Sequence, residues 1–126
     1  MVLFEAIHYA KPVPQSRARA GKFGFYYGKR ASAYRSALIK TLVIAGGDGF
    51  EPIAEPSCIF IRIAGANPSS DVDNHAKMVL DALQDANILK DDSVKVVWKL
   101  VVERVSAHGP CTEIRITKHE GEKDGN

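Results

Sequence analysis

The chain has 126 residues, 45% hydrophobic and 25% charged, with a net charge of +2. That length fits a single domain with a real core and leaves no room for a second module. The composition excludes disordered and collagen-like classes, and no apolar run approaches the ~20 residues that cross a bilayer.

In chain order, Val2 to Tyr9 alternates as a first strand, and Pro12 and Pro14 end it because proline cannot donate to a ladder. Residues 15–24 are small, basic and glycine-containing, which predicts a loop or mobile arm, with a short strand at Phe25-Tyr26-Tyr27. Ala31 to Ala45 is helical: Tyr34, Leu38, Leu42 and Ala45 recur on one face, Ser32 is the expected cap and Gly46-Gly47 the stop. Residues 47–56 are a turn-rich link. Ser57 to Ala64 is a dense β-branched run of the central-strand type.

A second helix is predicted from Asp73 to Ala86, with Ala76, Leu80 and Leu83 on one face and Asn87 as a left-handed stop. Val94 to Arg104 and Pro110 to Lys118 read as strands. The short Ser-Ala-His-Gly loop between them predicts an antiparallel hairpin, and Trp98 is expected in the core. The order β-α-β-α-β-β predicts an α+β fold, a mixed sheet with two main helices packed on it. Residues 1–119 form the single expected domain and 120–126 a polar tail.

The N-terminal stretch has neither the basic start nor the long apolar run of a signal peptide, so a cytoplasmic protein is expected. Cys58 and Cys111 sit in apolar runs with no CxxC spacing, which predicts reduced, buried thiols and no zinc site.

Charge is distributed unevenly. Residues 11–40 hold Lys11, Arg17, Arg19, Lys22, Lys29, Arg30, Arg35 and Lys40 and no acid. Residues 71–92 hold Asp71, Asp73, Asp81, Asp85, Asp91 and Asp92. This points to a phosphate-facing arm and a separate acidic centre. Phe23, Phe25, Tyr26 and Tyr27 interleave with the basic residues, a pattern that suits either a DNA backbone and unpaired bases or a solvated loop whose aromatics pack on the core.

Asp71 and Asp73 stand where a central strand opens into a helix, a common place for ligands. Carboxylate oxygens are what Mg²⁺ prefers, and phosphodiester hydrolysis needs such a cation. Lys77 lies one helical turn beyond Asp73, placed to contact a phosphate, and Asn74 is a neutral ligand or orients a water. The plainer reading of the same residues is a helix cap, a surface ion pair and, for Asp91-Asp92, a turn. Spacing alone does not separate the two.

The stretch Asp71-Val72-Asp73-Asn74-His75-Ala76-Lys77, then Leu80-Asp81-Ala82-Leu83, then Leu89-Lys90-Asp91-Asp92, resembles the signature of the RusA family of Holliday-junction resolvases. Lys11-Pro12-Val13-Pro14-Gln15-Ser16-Arg17-Ala18-Arg19, with Tyr34-Arg35, is similar to the family's opening. The similarity spans most of the chain, residues 46–56 and the tail being uninformative. It implies that Asp71, Asp73 and Asp92 bind metal and that Lys77 is catalytic, with Asn74 and Asp91 in supporting positions. It further implies a homodimer that uses Mg²⁺ or Mn²⁺ to cut four-way or branched DNA by paired nicks leaving 5′-phosphates, in a bacterial or phage setting. Arg17, Arg19, Lys22, Lys29, Arg30 and Arg35 are the expected DNA contacts. The chain departs from the pattern at Asn87, where the family often has Gly, and at Lys90, where an apolar residue is frequent. The alternative is a catalytically silent junction-binding protein of the same fold.

One geometric condition follows. A helix from Asp73 to Ala86 is about 20 Å long at ~1.5 Å per residue, and residues 87–92 return at most about 20 Å. Asp92 therefore completes the site in cis only through a nearly extended return or a shorter helix; otherwise it comes from the other subunit. The cis arrangement is the expectation.

Overall fold

The computed structural model describes residues 1–15, 19–21, 24–26 and 28–121. Its elements are β1 (Val2–His8), β2 (Arg19–Gly21), β3 (Gly24–Tyr26), α1 (Lys29–Gly46), β4 (Ser57–Ala64), α2 (Val72–Asp85), β5 (Val97–Arg104) and β6 (Cys111–Lys118). β2 and β3 pair antiparallel as a separate small hairpin; β2 lies in the segment expected to be a loop, and β3 overlaps the short strand expected at Phe25-Tyr26-Tyr27. The rest is α+β: a mixed four-stranded sheet in the order β1-β6-β4-β5, with both helices on it.

The apolar spacing sets the layers. α1 buries Ala31, Tyr34, Leu38 and Leu42, and α2 buries His75, Ala76, Met78, Val79, Ala82 and Leu83. These stripes meet Ile59, Ile61 and Ile63 of β4 and Ile114 and Ile116 of β6 in one core. Each fully buried Leu or Ile stabilises the fold by about 1.5–3 kcal/mol, whereas an exposed pair such as Arg62–Glu103, at 2.9 Å, contributes about 0.2–1 kcal/mol. Apolar burial therefore decides the architecture. Among the described residues no helix is long and apolar enough to cross a membrane.

The last two strands do not form the expected hairpin. β4 pairs with β6 antiparallel on one side and with β5 parallel on the other. Ile114 and Ile116 are almost fully buried, so β6 takes the interior place between β1 and β4. β5 has no such row and lies at the edge, where Trp98 is 54% exposed rather than in the core. The link from β5 to β6 must then cross the end of β4. Gly65 makes this possible: its φ is 78°, and a Cβ there would stand 2.8 Å from Pro110 Cβ.

Helix boundaries shift slightly. α1 is preceded by Gly28, with no side-chain cap bond, rather than capped by Ser32. α2 begins at Val72, one residue before the expected Asp73, and Asn87 stops it with φ 58° as predicted. β5 starts at Val97 because Ser93 to Val96 form a turn closed by Val96 N–H donating to Ser93 O at 3.0 Å. Both thiols are free, Cys111 buried and Cys58 half-buried.

His8 is buried under α1, with Nδ1 2.7 Å from Thr41 Oγ1 and Nε2 without a hydrogen-bond partner. Burial holds its pKa below the usual histidine value of 6.5. The unfolded chain therefore takes up a proton that the folded chain resists, so this contribution is intact above pH 6.5 and is lost as pH falls below it. Urea titrations at pH 7.5 and 5.5 should show the wild type losing more stability on acidification than His8→Leu; equal losses would remove His8 from the account.

Candidate active site

β4, α2 and β5 form a strand–helix–parallel strand unit. In such a unit the first loop lies at the carboxyl end of the strands, the usual place for ligands in open sheets, and the second loop lies at the other end. Asp71 ends the first loop with Asp73 in the helical turn that follows it, and Asp91 and Asp92 belong to the second.

The first corner is built tightly. After Gly65, the Asn67 side-chain oxygen accepts from Ser69 N–H at 3.0 Å and from Ser69 Oγ at 2.9 Å, an Asx turn. Ser70 Oγ donates to Asn67 O at 2.6 Å and lies 2.7 Å from His75 Nε2. The single hydroxyl proton is spent on Asn67 O, so His75 donates from Nε2, and burial lowers its pKa, which favours that neutral form. This clamp ties the loop to α2 and sets the direction in which Asp71 leaves it.

Asp71 occupies the N-cap position of α2, yet its side chain makes no cap hydrogen bond. Among the described residues its carboxylate has one hydrogen-bond contact, a long 3.5 Å approach from Asn74 Nδ2. Asp73 sits exposed in the first turn. Both carboxylates stand at the positive end of the helix dipole. Lys77 is exposed and its Nζ is 3.8 Å from Asp81 Oδ1, so the lysine leans along the helix toward Asp81 rather than back to Asp73. Such an exposed pair is weak and yields readily to a phosphate.

The second corner has a different character. Hydrogen bonds from the Ser93 hydroxyl and then from its backbone N–H, the latter at 2.8 Å, hold the Asp91 carboxyl below the usual carboxylate range. Asp91 is thus occupied as a turn residue. Asp92 beside it is exposed.

The two corners are held apart. Past α2, Leu89 N–H donates back to Leu83 O at 3.2 Å, Lys90 N–H bonds Ile53 O at 3.0 Å, and Ser57 N–H bonds Val96 O at 2.8 Å. Residues 88–96 are thereby pinned to the start of β4. The 14 residues of α2 put roughly 20 Å between that end and Asp71. Among the described residues no three His, Cys, Asp or Glu side chains gather as a metal centre. The extended return that a cis site requires is replaced by a helix-capping turn and strand pairing. Asp71 and Asp73 therefore lie at one end of the sheet and Asp91 and Asp92 at the other.

The basic segment is rooted at the first corner. Gln15 N–H donates to Asn74 O at 2.9 Å, and Gln15 lines a small cavity with Ala31, Ser32 and Arg35. The segment thus leaves from beside Asp71 and Asp73 and re-enters at α1, where Lys29 and Arg30 are exposed. Arg35 is engaged with Asp85 of α2, its Nε 3.1 Å from Oδ2. Arg17 and Lys22 lie outside the described residues, as does the Arg19 side chain, together with the aromatic side chains expected to interleave with them. Sequence reasoning missed the Ser70–His75 clamp and the Gln15 anchor. The first carried only the signal of a histidine inside the motif, and the second is a backbone bond with no signal at all.

The glycine at the root of the loop is the most sensitive backbone position here. Gly65→Ala imposes a left-handed φ on a residue with a Cβ and closes on Pro110. A loss of about 1–3 kcal/mol is expected, read as a lowered urea midpoint with unchanged slope; an unchanged midpoint would mean that the β5–β6 crossing has slack.

No curated protein matches this chain. Residues 10–117 match the family described as Endodeoxyribonuclease RusA. That span runs from the root of the basic segment to the end of β6 and includes both acidic corners. The chain belongs to the RusA endodeoxyribonuclease family.

Proposed function

We propose that this protein is a Mg²⁺-dependent endonuclease that resolves Holliday junctions or related branched DNA by paired symmetric nicks in recombination and repair. The observation that carries the reading is the first corner. Two carboxylates, Asp71 and Asp73, stand at a strand's carboxyl end, the first of them not engaged as a cap, and a basic segment is anchored to the same helical turn.

The residues fit a hard cation, since they offer carboxylate oxygens with lone pairs not spent on the backbone. Asp71 and Asp73 supply one half of the ligand set and Asp92 the other. When bound, Mg²⁺, or Mn²⁺ in its place, supplies charge neutralisation and Lewis acidity at the scissile phosphate. Lys77 releases Asp81 and places its ammonium against the charge that develops on the phosphate oxygens. Asn74 holds Asp71 in position, and Asp91 shapes the turn that presents Asp92. Lys29 and Arg30, with Arg17, Arg19 and Lys22 of the same segment, neutralise the DNA backbone beside the cut. Arg35 joins them only by giving up Asp85.

Because the halves lie at opposite ends of one chain, the working unit is a homodimer in which Asp92 comes from the other subunit. A two-fold dimer also matches the symmetry of a four-way junction and accounts for paired nicks.

The test is nicking of a mobile four-way junction with and without Mg²⁺. Asp73→Asn and Asp92→Asn should each reduce nicking to background, and Lys77→Ala should cost about 100-fold or more. Mixing the two inactive aspartate variants should restore activity, since each mixed dimer then holds one intact site. Binding without metal-dependent nicks would replace the enzyme by a silent junction-binding protein, and absence of rescue on mixing would return Asp92 to a cis role.

A further inference from the structure

α1 and α2 cover the face of the sheet that carries Ile59, Ile61 and Ile63, so Cys58, Phe60 and Arg62 of β4 point to the other face. At one end of that second face β5 breaks its alternation. Ser57 pairs with Val97 but Cys58 pairs with Lys99, which leaves Trp98 as an extra residue, a bulge in a parallel pair. Bulges are rare in parallel ladders, and they re-aim side chains. Val97 packs against the core, and Leu100 pairs with Ile59 on the core side. The two residues between them, Trp98 and Lys99, therefore stand together on the outer face. Both are exposed, Trp98 at 54%.

The Trp98 ring stacks on His119, with centroids 4.3 Å apart and 26° between the planes. His119 is fixed by its backbone N–H, which donates to Pro56 O at 3.0 Å. The imidazole thus backs an indole that stays more than half exposed. Cations surround the pair. Lys118 leans on Glu55 at 3.8 Å and Lys95 is shared with Asp91, whereas Lys99 has no salt bridge among the described residues. The register row beside the stack, Thr117, Cys58 and Lys99, holds no acid. The carboxylates of this face begin only in the rows of Phe60 and Arg62, where Glu5 and Glu103 are paired with Arg115 and Arg62.

We infer that the Trp98–His119 stack, with Lys99 beside it, is a binding platform for an unpaired nucleotide of DNA, the base lying on the indole and the ammonium meeting a phosphate. Aromatic faces on an open sheet are a general solution for holding unpaired bases, since every base has a π-face and a nearby cation offsets the backbone charge. A base inside a duplex has both faces covered by its neighbours and cannot use such a platform. A protein partner would call for a broad apolar patch, and the row next to Trp98 supplies a lysine, a threonine and a half-buried cysteine instead. The position is also apt. Ser57 N–H bonds Val96 O at 2.8 Å, which pins the turn carrying Asp92 to the same end of the sheet. An unpaired strand held on Trp98 therefore lies at the Asp92 end. That the polyanion is DNA rests on the nuclease reading above; the stack and its cation do not.

Trp98 is the chain's one tryptophan, so its fluorescence reports on the platform directly. In metal-free buffer, single-stranded oligo(dT) should quench it in the wild-type protein, and a blunt duplex of equal length should quench it far less. Trp98→Ala, with its circular dichroism retained, should weaken oligo(dT) binding about five-fold or more, read by anisotropy of a labelled strand. Lys99→Gln should lower the slope of log affinity against log salt by about 0.7. Absence of quenching by oligo(dT), equal quenching by the duplex, an unchanged affinity in Trp98→Ala or an unchanged slope in Lys99→Gln overturns the inference. Junction nicking by a protein that fails these tests sinks the platform and leaves the nuclease reading standing. Quenching by a protein that never nicks upholds the platform and removes that reading instead.

Discussion

The parallel pairing of β4 with β5 is the constraint on which the rest depends. Parallel neighbours need a crossover as long as the strands themselves, and α2 is that crossover. Its two ends therefore fall at opposite ends of the sheet, and the acids flanking it are separated by about a helix length. The separation follows from topology and does not relax with side-chain motion. A site that needed both groups of acids would have to be completed by another copy of the chain.

The corner at the start of α2 shows how a loop can be tied to a helix by its own side chains. Asn67 folds its own turn, Ser70 and His75 clamp the loop to the helix, and Gly65 lets Pro110 pass behind it. These contacts orient Asp71 and Asp73 without consuming their carboxylates. Nearby charges are handled differently. Asp91 is held by Ser93, Arg35 by Asp85 and, weakly, Lys77 by Asp81, while Asp71 makes no side-chain cap hydrogen bond.

Much of this was legible in the chain itself. The stripe from Tyr34 through Leu38 to Leu42 marked α1, the β-branched run from Cys58 to Ile63 marked the central strand, and Asn87 marked the helix stop. These are local signals, set by periodicity and backbone preference. The acidic corner was legible as a motif, since its parts lie within one turn of helix. The Ser32 cap failed because the helix takes in three further residues before it, and Ser32 N–H instead bonds Gly28 O at 3.1 Å. Trp98 failed because an apolar residue on a strand says nothing about which strand becomes the edge.

The sequence by itself determined the main elements, their order, the single core and the family, because each rests on spacing along the chain. Only the tertiary structure decided that β6 enters between β1 and β4, that β5 is left at the edge, and that Asp92 stands at the far end from Asp71. The physical reason is that strand order is settled by competition for burial. The Ile114 and Ile116 row of β6 excludes more water in the middle of the sheet than β5 can, so a short loop that locally favoured a hairpin was overruled.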